Sequence, residues 1–177
     1  FIPPENEKLG LGKTIPLSSR AISILEETEL PFGYIPVYEE GELKISNTGP
    51  ILRYIADKYN YDGDSVYEKT KNDTLVTLTD NSLTKFFKVL NSSNDNDRFN
   101  YRNNELGMLL GQYDKVLNQN AKKYNLDLPI YFSGNKITYV DAVVYNFIKT
   151  LISSIKNLRF PESVVAFYRN FEEYLQN

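Results

Sequence analysis

Apolar positions change their rhythm along this chain, and the change divides it. In "LSSRAISILEETEL" (17–30), Leu17, Ala21, Ile24 and Leu25 fall at helical spacing. Ser18 or Ser19 is placed to cap that helix, and Leu30-Pro31-Phe32 stops it. "YIPVYEEGELKIS" (34–46) alternates instead, and predicts a β-hairpin turning at Glu39-Glu40-Gly41. Pro36 falls inside the first predicted strand, which calls for a sheet edge or a cis peptide. A helix is predicted from about Pro50 to Tyr59, and "NYDGDS" (60–65) reads as a turn-rich boundary. Beyond it every periodic stretch is helical. Residues 66–90 carry Val66, Leu75, Leu78, Leu83, Phe86 and Phe87, while the Asn/Asp-rich 91–104 reads as a loop or helix break. Residues 105–124 place Leu106, Leu109, Leu110, Tyr113 and Leu117 on one face. "ITYVDAVVYNFIKTLISSI" (137–155) is apolar nearly all round, which predicts a buried central helix, and 161–176 gives a closing amphipathic one. The expected organisation is a small α/β unit (1–62) followed by an all-α unit (63–177).

Two helix starts carry conspicuous polar residues. Thr138-Tyr139-Val140-Asp141 is a capping box, hydroxyl first and acid three residues on, so Thr138 and Asp141 are read as structural. Ser46-Asn47-Thr48, with Gly49 and Pro50 behind, is either an ordinary cap or a set of exposed donors for a carboxylate.

Composition narrows the chemistry. The 177 residues include 20 basic and 23 acidic side chains, for a net charge of −3, which gives no basic surplus for phosphates. No apolar run reaches membrane-spanning length and no signal peptide is visible, so a cytoplasmic location is expected; the chain begins at Phe1, which leaves a preceding leader open. With neither Cys nor His, thiol and imidazole catalysis and a conventional zinc site are excluded. Hydroxyls, carboxylates, Lys, Arg and backbone amides remain.

In order along the chain, "YIPV", "GELKISNTGPILRYIADKYN", "YDGDSVYEKTKND", "FSGNKITYVDAVVYNF" and "FPESVVAFYRNFEEYL" resemble the glutathione transferase fold family. The resemblance runs from about residue 17 to the end. It implies a thioredoxin-like domain followed by a helical bundle, assembled as a homodimer that binds glutathione and small hydrophobic electrophiles. The cosubstrate would bring the thiol that this chain lacks, and thiolate is its reactive form. By the family pattern, Thr48 and Asn47 meet the γ-glutamyl carboxylate, and Ile35-Pro36 is a cis peptide facing the cysteinyl part. Asp73 matches an acid that reaches the glutathione amino group across the dimer, spaced from Glu68 as in the sigma, mu and pi-like classes.

This sequence departs from the pattern in two places. Gly12 stands where sigma-like members have the thiol-activating Tyr, which leaves Ser18 or Ser19, with Thr14 as the remaining hydroxyl. Phe32 is followed directly by Gly33, with no strand and helix between, so the first domain reads as incomplete: either it is pared down or a segment is absent at this junction, the second being favoured because one residue cannot make a right-handed crossover. The missing Tyr, together with Thr48 where the family places Ser, keeps open an alternative from another class, a catalytically silent interaction module of the kind found in translation factors and tRNA-synthetase complexes.

Overall fold

The computed structural model describes residues 35–126 and 131–177. The expected helix at 17–30, Ser18, Ser19, Gly12, Thr14 and the Phe32–Gly33 junction lie outside the described residues. Contacts divide the chain into two compact units, one ending at Tyr59 and the other starting at Asn60.

In the first unit, strands β1 (Val37–Glu40) and β2 (Leu43–Ser46) pair antiparallel, with Val37 opposite Ser46 and Glu40 opposite Leu43. That register makes the turn Gly41-Glu42 rather than the expected Glu39-Glu40-Gly41. Gly41 takes φ 58, the left-handed value that a two-residue hairpin turn places on its first central residue. Pro36 precedes β1 and its bond to Ile35 is cis, as one of the two sequence alternatives required. Helix α1 (Thr48–Lys58) starts two residues before Pro50. Pro50 is tolerated there because first-turn amides have no intrahelical acceptor in any case.

Among the described residues the second unit is a bundle of five helices. Helix α2 (Val66–Leu90) opens with Ser65 Oγ accepting from the Glu68 amide, while Glu68 takes the Asp64 amide. Its buried stripe is Asn72, Leu75, Val76, Thr79 and Phe86; Val66 and Leu78, expected on that stripe, are exposed. The stretch 91–104, expected as a loop or a break between helices, is largely helical. Helix α3 (Asp95–Asn100) is capped by the Asn94 side chain and runs through a π-helical turn (Tyr101–Glu105) into α4 (Leu106–Tyr124). Tyr101 drives this: it is only 3% exposed, packs on Phe86 and donates to the Ser82 carbonyl. Burial of one aromatic outweighs the poor helix propensity of an Asn-rich stretch.

The five predicted face residues of α4 are all buried. Helix α5 (Tyr139–Ser154) is central, with Val140, Val144, Phe147, Ile148 and Leu151 at most 1% exposed. Helix α6 (Glu162–Gln176) closes the bundle through Phe167, whose ring meets Phe132 edge-on. Fully burying side chains of this size stabilises by about 1.5–3 kcal/mol each. No helix among the described residues is long and apolar enough to cross a membrane.

Candidate functional site

The hairpin delivers the chain to the start of α1 through a single backbone bond. Asn47 donates its amide to the Pro36 carbonyl at 2.9 Å, which draws the residues around Ile35-Pro36 and Asn47-Thr48 together. Asn47 then takes φ 76 and ψ 139, a conformation that a non-glycine residue enters at a cost of about 1–3 kcal/mol. Its carbonyl accepts the Ile51 amide at 3.2 Å, so it is the N-cap residue by position, yet its side chain makes no capping hydrogen bond. The simple capping reading of Asn47 therefore fails.

Three features set the chemistry of this start. Asn47 and Thr48 are exposed, and so are Ile35 and Pro36. Gly49 leaves the backbone open, with the Arg53 guanidinium 3.7 Å from where its Cβ would stand. Above all, α1 carries no acidic residue in its first turn, whereas α2, α3, α5 and α6 each supply their own: Glu68, Asp95 and Asp97, Asp141, and Glu162. The helix thus supplies no acid of its own to its first-turn amides and the positive end of its dipole. Such an end can hold a carboxylate.

Behind it, Glu40 braces α1 to the hairpin. Its carboxylate accepts from Tyr54 at 2.9 Å, from Tyr38 at 3.1 Å and from Lys58. The Lys58 bond first, then those of Tyr54 and Tyr38, holds the Glu40 carboxyl below its ordinary range.

At the start of α5 the outcome is the reverse. The capping box is complete: Asp141 accepts from the Thr138 amide and the Phe132 amide, both at 2.7 Å, and is fully buried. Burial pushes its carboxyl up to about 6 against these bonds. Thr138 and Asp141 are structural, as the sequence reading holds. Asp73 stands half-buried on α2 in the helical unit. Among the described residues no group of three or more acids, histidines or cysteines is arranged to hold a metal.

The family described as "Glutathione S-transferase, C-terminal domain" matches residues 79–176. The chain belongs to the glutathione S-transferase family. A glutathione S-transferase of Plasmodium falciparum is 29% identical over 161 residues, covering 86% of this chain and 74% of that protein. Glutathione S-transferase Mu 5 of mouse is 31% identical over 130 residues, covering 72% of this chain and 53% of its own length. Among solved structures, the Onchocerca volvulus pi-class glutathione S-transferase aligns with TM-score 0.71 at 21% identity, covering 88% of this chain and 74% of that one. The fold is therefore that of this family: a thioredoxin-like first domain, incomplete here, and a helical bundle.

Sequence reasoning passed over Ser65 and Asn72. The spacing Ser65-x-x-Glu68 is a helix-start signature, and Asn72 lies on the 72-75-76-79 stripe of α2 with its core residues.

Proposed function

We infer that the protein is a glutathione transferase, conjugating reduced glutathione to small apolar electrophiles as a cytoplasmic homodimer without a metal. The α1 start carries this reading. It is a helix N-terminus with no acid of its own, entered through a strained Asn47 whose side chain is not spent on capping. In the reading, the Thr48 hydroxyl, the first-turn amides and the Asn47 amide group hold the γ-glutamyl carboxylate, as a dipole end and several N–H donors favour. The exposed backbone at Ile35-Pro36 lies one hydrogen bond away and receives the cysteinyl part. Asp73 reaches the glutathione amino group of the opposite protomer. Ser18 or Ser19 donates a hydroxyl hydrogen bond to the thiolate, which lowers the thiol pKa. The sulfur then attacks the electrophilic carbon, the leaving group departs with its electron pair, and the thiol proton passes to solvent. The reading keeps a thioredoxin-like domain, expected at 1–62, followed by a helical one, expected at 63–177, with the division moved to the contact boundary between Tyr59 and Asn60.

Family membership supports this function, and the related proteins named above lend no support to the interaction-module alternative. Fold by itself does not fix activity. Titration of the purified protein with reduced glutathione, followed by turnover of an apolar aryl halide, tests the reading. Binding between micromolar and low millimolar, about −8 to −4 kcal/mol, is expected. No heat and no thermal shift at saturating glutathione would reject it.

A further inference from the structure

Two irregular segments of the helical unit, 60–64 and 131–138, lack a ladder of their own. Within 131–138 there is a single isolated bridge, between Tyr131 and Gly134. Their polar groups are met instead by side chains from distant positions, because a buried backbone group must be paired by something. Asn72, 1% exposed, donates to the Asp62 carbonyl at 2.8 Å and accepts from the Ser133 hydroxyl at 2.6 Å. Ser133 also meets the Thr138 hydroxyl at 2.8 Å, and Thr138 leads to Asp141, which holds the Phe132 amide. Asn120 secures the Tyr131 and Phe132 carbonyls. A second tie runs from the Tyr139 amide to the Tyr61 carbonyl at 2.9 Å. At the surface Lys136 clasps both oxygens of Asp64, at 2.6 and 2.8 Å.

Between the segments lies a crevice of about 70 Å³, lined by Gly63, Asp64 and Glu68 on one side and by Tyr124, Ser133 and Lys136 on the other. Each segment bordering it has a glycine at φ 119. A Cβ at Gly134 would stand 2.6 Å from the Tyr124 ring, and one at Gly63 would stand 3.0 Å from the Glu68 Cβ. Both segments thus have a backbone that only glycine accommodates, on either side of one small gap.

We propose that Asn72, bonded to both segments, is the latch that makes 60–64 and 131–138 a single cooperative opening unit, which parts at this crevice while the helix core stays folded. The packed faces of α4 and α6 owe their order to apolar burial, and so does Phe132, whose ring is fully buried against Tyr113 and Phe167; the rest of the two segments is tied by this short polar chain. Regions held by few apolar contacts open at lower free energy than the core. Loss of the latch takes one bond from the Ser133 hydroxyl, which keeps Thr138, and one from the Asp62 carbonyl, so both segments are loosened at once.

Hydrogen exchange of the full chain tests this, read at the Asp64, Phe132 and Tyr139 amides, whose acceptors are the Glu68 carboxylate, the Asp141 carboxylate and the Tyr61 carbonyl. Asn72→Ala and, separately, Ser133→Ala should lower protection at all three together by roughly tenfold or more. Core amides of α4 and α6, at Tyr113, Leu117 and Phe167, should keep theirs. Loss at Phe132 and Tyr139 with Asp64 unchanged would overturn the proposal, and so would an equal fall at every amide. If Asn72→Ala does not fold, Ser133→Ala decides alone by the same criteria.

Discussion

Helices α1 and α5 both begin with a threonine and an amide or carboxyl side chain nearby, and they use these groups in opposite ways. At α5 the Thr138 and Asp141 side chains are turned inward onto the helix's own amides, in the core and out of reach of any ligand. At α1 the Asn47 and Thr48 side chains are exposed, no acid follows in the first turn, and the N-cap backbone is held at φ 76. The chemistry is nearly the same at both. What differs is whether the helix satisfies itself. A self-satisfied start contributes stability, and an unsatisfied one offers a binding surface and carries strain in exchange. Stability and ligand binding should therefore separate cleanly between the two sites.

The largest effect expected is at the closed start. Asp141→Ala strands the Phe132 and Thr138 amides in the core and should cost at least about 3 kcal/mol, read as a fall in the denaturation midpoint. Asp141→Asn keeps one acceptor and removes the buried charge, so it should cost clearly less. If the two variants were equal, the hydrogen bonds would not be what Asp141 supplies.

The pH dependence sharpens the same contrast. Asp141 has a folded pKa of about 6, above its ordinary 3.8. Its stabilising contribution is thus fully present below about pH 4 and is lost as pH rises through 6, a swing of order 3 kcal/mol. Glu40 runs the other way: its carboxyl is held low, so its contribution is present above the ordinary value and fades as pH falls through the depressed one. Thermal midpoints between pH 4 and 7 should show the acid-favoured swing in the parent and lose it in Asp141→Asn. Retention of the swing in that variant would assign it to another group.

At the open start the effect should be smaller and of opposite sign. Asn47→Gly relieves the positive φ and should leave stability unchanged or raise it by up to about 1 kcal/mol. Destabilisation in a chemical melt would mean that the Asn47 side chain serves the fold after all.

The same contrast explains what was legible in the sequence. The α5 start is a local pattern, two residues three apart followed by an apolar run, and local patterns survive without coordinates. The α1 start also has a recognisable sequence, but whether its groups are spent is a matter of backbone angle. Nothing in Ser46-Asn47-Thr48 announces φ 76 or the missing capping bond. The 95–105 helices were hidden for a different reason. Their composition is that of a loop, and Tyr101 reaches into the core only once α2 is present to receive it. Asn72 was overlooked because an asparagine reads as surface, although its spacing puts it on the buried stripe. Its partners, Asp62 and Ser133, lie 10 and 61 residues away in the chain.

The most direct test of the open-start account is Thr48→Ala, with denaturation and glutathione titration measured on the same preparation. Alanine is a good first-turn residue, so the account predicts a stability change within about 0.5 kcal/mol together with a glutathione affinity at least roughly tenfold weaker. A variant that loses stability while binding glutathione as the parent does would show that Thr48 caps the helix and that the carboxylate sits elsewhere.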